Sequence, residues 1–262
     1  MRKFADDLEL AHRLADLADE ISTSYFSSGS SYARKLDGSP VTKADLEVEQ
    51  SIIEMLGRER PDDYVLGEEF SNHTEGALNQ PTWIIDPIDH TRHFTRGNSN
   101  YGTLIALSIG DQIQIGVISA PKLEKRWAAI RNEGATLNGQ PLRVSDTRSV
   151  DLAHMALAGH REWMQSNTWL DISQLLDQAE YTCGTAGGFL PAMRVADGQL
   201  DVFVEPWGEI WDHAASALIV EEAGGQATTI HGGKPLGGTL LVSNRHLHPF
   251  ILPAFSNYKN MS

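Results

Sequence analysis

The chain has 262 residues, of which 41% are hydrophobic and 21% charged, a composition typical of a folded protein with one large domain or two packed halves. The 35 acidic residues outnumber the 21 basic ones, so the formal charge is -14, which disfavours nonspecific binding to nucleic acid or to an anionic membrane. The single cysteine, Cys183, excludes an intrachain disulfide and a cysteine-based zinc site. A charged start and the lack of an 18-residue apolar run predict a cytoplasmic protein.

Local patterns in the first 60 residues predict two helices joined by a loop. Apolar residues recur every three to four positions over residues 4–26, which indicates an amphipathic helix. The serine- and glycine-rich stretch 27–39, which carries Lys35, predicts a mobile loop. Thr42 and Asp45 have the spacing of a capping box and predict a helix directly after them.

The segments between residues 64 and 130 have patterns that predict β-strands. Apolar runs at 64–66 and 82–85 end abruptly in carboxylates, as strands do when they deliver side chains to a site. Runs rich in β-formers at 101–109, 113–119 and 126–130 are separated by turn residues and predict a meander. The first half is therefore predicted to be α+β.

The second half alternates strands with helices, which predicts a layered α/β arrangement. No linker or repeat separates it from the first half, so halves 1–145 and 146–262 are expected to form one continuous unit. The predicted strands are 153–158, 181–184, 201–205, 226–230 and 239–243, and the predicted helices are 169–179, 189–197, 212–223 and 246–255.

Asp86 and Asp89 flank Pro87 and Ile88 directly after an apolar strand. Proline removes a backbone donor and fixes φ, so we predict a rigid turn in which the Ile88 carbonyl points toward both carboxylates. Mg²⁺ prefers oxygen ligands of this kind. Taken alone, however, an Asp-x-x-Asp segment more often caps a turn, and Thr91 beside it is able to cap a helix.

Two more acidic segments are candidates for the same site. Glu68 follows the preceding predicted strand and is expected at the same sheet edge as Asp86, although an ordinary solvated turn explains it locally. Asp212 starts a predicted apolar helix and is either its N-cap or a metal ligand in a shielded cleft, with Glu205 facing a substrate. Local sequence does not choose between these interpretations.

Together the segments resemble the inositol monophosphatase-like family. The resemblance implies a layered α-β-α-β-α sandwich, a homodimer, and hydrolysis of small phosphate monoesters with two or three Mg²⁺ ions, often inhibited by lithium. The matching blocks, in family order, are Ser39-Pro40-Val41-Thr42-x-Ala44-Asp45, Gly67-Glu68-Glu69, Asp86-Pro87-Ile88-Asp89-x-Thr91 and Trp211-Asp212-x-Ala214-Ala215.

The resemblance also implies residue roles. Metal-activated water, oriented by Glu68 and Thr91, is expected to attack phosphate without a covalent enzyme intermediate. The implied catalytic residues are Glu68, Asp86, Asp89 and Thr91. The implied metal ligands are Glu68, Asp86, the Ile88 carbonyl, Asp89 and Asp212. The implied substrate contacts are Asp89, His90, Thr91, Gly188, Glu205 and Asp212, with Lys35 and Asp45 in supporting positions.

The segment from Arg92 to Gly97 further resembles the actinobacterial histidinol-phosphate phosphatases of this family, which implies L-histidinol phosphate as substrate and a place in histidine biosynthesis. Glu205 and Asp212 suit the cationic end of that substrate and the nearby Trp207 offers an aromatic face for its imidazole ring, although inositol hydroxyls would bond to the same acids. Two positions depart from the pattern. His90 stands where the family usually has glycine, and Gly188 stands where these phosphatases commonly have aspartate.

Several alternatives stay open at this point. Inositol monophosphate and nucleotide 3′-phosphates are alternative substrates. A catalytically silent phosphate-binding regulatory protein is an alternative from another class, opposed by the presence of every expected carboxylate. A haloacid-dehalogenase-like nucleophile is disfavoured because those enzymes use Asp-x-Asp, one residue shorter than the spacing here. Zinc at His246 and His248 is disfavoured because no further ligand of the usual spacing accompanies them.

Overall fold

The computed structural model describes residues 3–28, 31–36, 38–70, 80–255 and 257–258. The chain divides into two compact units: unit 1 comprises Met1–Arg131 with Leu137–Gly139, and unit 2 comprises Asn132–Thr136 with Gln140–Ser262. The expected boundary near residue 145, and the expectation that both halves form one continuous unit, stay predictions.

Unit 1 begins with two helices on either side of a hairpin: α1 (Phe4–Ser28), β1 (Tyr32–Arg34), β2 (Pro40–Thr42) and α2 (Lys43–Glu59). The predicted capping box is confirmed, because the Thr42 hydroxyl accepts the N–H of Asp45 and the Asp45 carboxylate accepts the N–H of Thr42 at 2.8 Å. The predicted loop at 27–39 was wrong over β1, which pairs antiparallel with β2. Gly29, Ser30 and Asp37 lie outside the described residues, and the predicted mobility of this loop stays a prediction.

Five strands of unit 1 lie side by side in chain order: β3 (Tyr64–Gly67), β4 (Pro81–Asp89), β5 (Gly102–Ile109), β6 (Gln112–Ala120) and β7 (Lys125–Ile130). The β3–β4 pair is parallel and the others are antiparallel. The predicted strand 82–85 and the rigid turn after it form one longer strand, because pairing with β5 resumes at Asp89 after a register shift. The short helix α3 (Thr91–Phe94) follows.

The core of unit 1 lies where α1 and α2 pack on this sheet. Most apolar side chains of both helices are fully buried there, at roughly 1.5–3 kcal/mol for each large side chain removed from water, and a few such as Phe4 and Met55 are partly buried. Trp83 of β4, one of the largest buried side chains, also donates its indole N–H to Asp63 at 2.9 Å, so its only polar atom keeps a hydrogen-bond partner after burial. These helices therefore hold β4, whose end carries the paired aspartates.

The chain then passes through two short strands, β8 (Gly134–Leu137) and β9 (Gln140–Pro141), before the sheet of unit 2 begins. That sheet has the strand order β11-β10-β12-β14-β13 and is mixed: β10 pairs parallel with β11 and β12, and β14 pairs antiparallel with β12 and β13. Its strands are β10 (His154–Ala158), β11 (Tyr181–Thr185), β12 (Val202–Glu205), β13 (Gly225–Thr228) and β14 (Leu240–Asn244).

The helices of unit 2 agree with the sequence predictions except at two places. A short helix, α4, was not predicted, and the predicted helix 246–255 is a four-residue α8 followed by a 3₁₀ turn over Leu252–Phe255. The helices are α4 (His160–Gln165), α5 (Trp169–Gln178), α6 (Phe189–Ala196), α7 (Ile210–Glu222) and α8 (His248–Ile251). Across the described part of the chain, no helix combines the length and apolarity that crossing a membrane requires.

Candidate active site

The paired aspartates lie at the end of β4 and are both buried: Asp86 is 1% exposed and Asp89 is 8% exposed. Residues three apart in a regular strand point to opposite faces, but the register shift between Asp86 and Asp89 breaks this alternation. As a result, a carboxylate oxygen of one lies within 4.8 Å of a carboxylate oxygen of the other. Two buried carboxylates this close repel each other, so a pair of hard oxygen donors here fits a divalent cation.

Thr91 connects this segment to α2. Its hydroxyl lies 3.2 Å from the Ile88 carbonyl oxygen and 3.3 Å from an Asp45 carboxylate oxygen, and it can donate its single proton to only one of them at a time. Burial raises the pKa of Asp45 to about 6, against the opposing effect of its hydrogen bonds from Thr42. The expectation that Thr91 caps a helix was wrong, because Thr91 is already the first helical residue of α3.

His90 adopts a left-handed backbone conformation, with φ 67° and ψ 45°. This is the region in which glycine is favoured, which gives a physical reason for the glycine usual at this position. The imidazole does not simply face solvent: its Nδ1 lies 2.8 Å from Nδ1 of His93. Since His93 Nδ1 also lies 3.1 Å from the Asn100 carbonyl oxygen, which only accepts, we assign the proton to His93.

Glu68 lies at the same sheet edge as Asp86, as predicted. Parallel pairing sets Gly67 opposite Ile85, and the N–H of Glu68 donates to the Ile85 carbonyl at 3.2 Å. Lys35 reaches both acids of this turn, with its ammonium 2.6 Å from Glu68 and 2.7 Å from Glu69. Burial raises the pKa of Glu69 to about 7 in spite of this contact.

Glu49 is the residue of this region that sequence reasoning missed. It is fully buried in α2, and its two carboxylate oxygens accept the backbone N–H groups of Glu69 at 2.9 Å and Phe70 at 2.8 Å. A side chain at Gly67 would overlap the same carboxylate. Glu49 therefore holds the turn that presents Glu68. The sequence feature that could have identified Glu49 is its position: it is an acid on the apolar stripe of a predicted helix, one residue after Val48.

Unit 2 carries the other three predicted substrate contacts, Gly188, Glu205 and Asp212. Glu205 ends β12, is 5% exposed, and accepts the backbone N–H of Gly188 at 3.1 Å. Gly188 has φ 72° and ψ -165°, a conformation that side chains rarely adopt, which accounts for glycine at this position. The ring of His213, 1% exposed, places Nε2 3.7 Å from Glu205.

Asp212 is the third residue of α7 and not its N-cap, because the helix begins at Ile210. Its carboxylate accepts the backbone N–H of Glu209 at 2.6 Å, as in a capping box. Its role as a metal ligand stays a prediction. The two histidines considered for zinc are engaged elsewhere: His246 pairs with Asp146, and His248 lies between Thr228 and Ser243.

Comparison with known proteins identifies the family. The profile described as the inositol monophosphatase family matches residues 5–260. The chain belongs to this family. It is accordingly a phosphoric monoester hydrolase, as the sequence predicted.

Individual relatives agree with this assignment. The chain is 39% identical to a histidinol-phosphatase of Mycobacterium tuberculosis over 94% of this chain and 96% of that protein. It is 37% identical to a histidinol-phosphatase of Streptomyces coelicolor over 96% and 97% of the two chains. The solved structure of an IMPase from Thermotoga maritima matches with a TM-score of 0.84, 25% identity, and coverage of 95% of this chain and 96% of that one. The predicted inositol monophosphatase-like α/β fold is thus confirmed.

Proposed function

We propose that this phosphatase hydrolyses L-histidinol phosphate to L-histidinol and phosphate in a Mg²⁺-dependent reaction. The observation that carries the choice of substrate is the near full-length similarity, at 39% identity, to a protein named histidinol-phosphatase. Inositol monophosphate is the second candidate, supported by the description of the family itself.

The proposed metal site rests on oxygen donors. Asp86 and Asp89 are buried and close, and the carbonyl of Ile88 lies between them in sequence. When bound, Mg²⁺ activates water and stabilises negative charge on the phosphate and the leaving oxygen. We assign two or three ions to a set of five residues: Glu68, Asp86, Ile88 through its carbonyl, Asp89 and, from unit 2, Asp212.

Around that metal, the chain's own residues orient the nucleophile and the substrate. Thr91, with Asp45 as its acceptor, can hold a water proton in place, because the hydroxyl that donates to Asp45 keeps its lone pairs available. Glu68 and Thr91 are assigned to this task. Backbone N–H groups of His90 and Thr91 are assigned to the phosphate oxygens. Lys35 supports Glu68 by the ion pair described above.

The substrate's organic portion is assigned to unit 2. Glu205 is an acid whose position is fixed by the Gly188 N–H, which suits an ammonium or an imidazolium group. Trp207, 44% exposed, offers an aromatic face for the imidazole. Its ring packs against Gly159, where a side chain would collide with it. The same acid would also accept inositol hydroxyls, which is why inositol monophosphate is the second candidate.

The proposal is tested by phosphate release from L-histidinol phosphate after the protein has been stripped of metal and Mg²⁺ restored. We expect turnover only after Mg²⁺ is added. Binding of the phosphate ester without turnover under both conditions would reject hydrolysis and favour a silent binding protein. The family resemblance also supports a homodimer, which sedimentation velocity of the same preparation would measure.

A further inference from the structure

A cavity of about 320 Å³ in unit 1 is not used by the proposed reaction. One side of the cavity is the β1–β2 hairpin, which contributes Tyr32 and Arg34 among others. The other side is α3 and the turn after it, which contribute Arg92 and Arg96 among others. Its size lies at the lower end of the roughly 300–1,000 Å³ usual for small-molecule sites.

The charge of this cavity is opposite to that of the chain. Three of its lining residues are arginines, and no acidic residue lines it within the described part of the chain. The whole chain nevertheless has 35 acidic residues and a formal charge of -14. Three guanidinium groups gathered around one space repel each other, and this repulsion is relieved when an anion occupies the space.

The arginines are available to a ligand. Arg92 and Arg96 are exposed, and neither side chain makes a hydrogen bond or an ion pair with any residue that the structure describes. Arg34 uses Nη1 to donate to the Gly38 carbonyl at 3.0 Å and lies over the ring of Tyr32. This fixes the Arg34 side chain on the hairpin, whereas Arg92 approaches from α3 and Arg96 from the turn after it.

Guanidinium groups are the side chains best suited to phosphate-type oxyanions, because each presents paired N–H donors to two oxygens. A single anion touching all three arginines would join the hairpin to α3. The hairpin residue after Arg34 is Lys35, which contacts Glu68 and Glu69 at 2.6 Å and 2.7 Å. Occupancy of the cavity would therefore also restrain the lysine that pairs with the proposed metal ligand.

We propose that the cavity between the β1–β2 hairpin and α3 is a second binding site, separate from the hydrolytic site, for a phosphate-type oxyanion of at least two negative charges, held by Arg34, Arg92 and Arg96. The ligand is either the orthophosphate released by the enzyme or the phosphate portion of another small metabolite. This inference does not depend on which phosphate ester the enzyme hydrolyses.

The test is isothermal titration of the full-length protein with inorganic pyrophosphate and, separately, with orthophosphate. Metal is first removed on a chelating resin, so that the carboxylates of the hydrolytic site repel both anions. The binding that is then measured takes place in the arginine cavity. The test variant is Arg92→Ser with Arg96→Ser. The matched control is Arg58→Ser, which removes an exposed arginine from the last turn of α2.

We expect the double variant to raise the Kd for pyrophosphate at least about tenfold, because charge-assisted hydrogen bonds from two guanidinium groups are lost, and the control to leave it unchanged. Hydrogen exchange at the hairpin amides should slow when pyrophosphate is added to wild type and not to the double variant. Comparable affinity for orthophosphate would identify the reaction product as a ligand. Preference for pyrophosphate would identify a more highly charged metabolite.

Equal pyrophosphate affinity, within twofold, in wild type and the double variant would overturn the proposal. If the double variant then also changes the oligomeric state in sedimentation velocity, these arginines face a second copy of the chain and not an anion.

Discussion

Replacement of Glu49 by alanine tests how the Glu68 turn is held. Glu49 is fully buried and accepts two backbone N–H groups, from Glu69 and Phe70. Hydrogen bonds to a charged group contribute roughly 1.5–3 kcal/mol each, so the two contribute about 3–6 kcal/mol. Part of this is offset because burial of the carboxylate is unfavourable, as the raised pKa of Glu49 indicates. We therefore expect Glu49→Ala to lower the free energy of unfolding by about 2–3 kcal/mol.

The functional consequence follows from the position of the turn. Once its two N–H groups are released, the turn that carries Glu68 samples more conformations, and a ligand that is less well positioned binds metal more weakly. We expect a Tm lowered by about 4–10 °C and a Mg²⁺ concentration for half-maximal activity raised about tenfold or more. Glu49→Gln, which keeps one acceptor oxygen, should fall between alanine and wild type in both measurements.

The matched control is Glu54→Ala, which removes an exposed glutamate from the same helix, one that accepts a hydrogen bond from the Gln50 side chain. Glu54→Ala should change neither the Tm nor the Mg²⁺ concentration for half-maximal activity. The reasoning is refuted if Glu49→Ala keeps the wild-type Mg²⁺ dependence, even if it is less stable, because Glu49 would then contribute to folding alone.

Three further predictions address other parts of the chain. Asp89→Asn should lower kcat at least about a hundredfold, since it weakens a shared metal and alters the charge facing phosphate; near wild-type turnover in steady-state assays would remove Asp89 from catalysis. Gly187→Ala should raise KM, because Gly187 has φ 91° and a Cβ there would collide with Glu205, whereas Gly184→Ala, with open space around it, should not. Burial lowers the pKa of His248 to about 4, so the unfolded chain takes up this proton first and the contribution of His248 to the free energy of unfolding should decrease by up to about 3 kcal/mol as pH falls from 6.5 to 4. Urea denaturation across this range should show wild type losing about this much stability relative to His248→Gln, whereas the difference between wild type and the exposed control His231→Gln should stay constant.

Features that depend on local chemistry could be predicted from the sequence. The capping box of Thr42 and Asp45 is contained within four residues, and the apolar runs before Glu68 and Asp86 identify strands whose ends meet. The resemblance also drew attention to His90, and its left-handed backbone explains why that position favours glycine.

Features that depend on distant or weakly patterned residues could not be predicted. The β1–β2 hairpin lies in a polar, serine-rich stretch, where three paired residues leave no apolar alternation. The bonds from Glu49 reach backbone groups 20 and 21 residues away, so nothing near Glu49 indicates them. The continuation of β4 through Pro87 depends on its pairing with β5, in which a bulge tolerates the proline.

The most direct test of the proposed function is a comparison of kcat/KM, with Mg²⁺ present, for L-histidinol phosphate, inositol 1-phosphate, fructose 1,6-bisphosphate and adenosine 3′,5′-bisphosphate. We expect the highest value for L-histidinol phosphate, because its ammonium group suits Glu205 and its imidazole ring suits the exposed face of Trp207. A higher value for any other member of the panel would contradict the assigned substrate while leaving the chain a phosphatase of the same family.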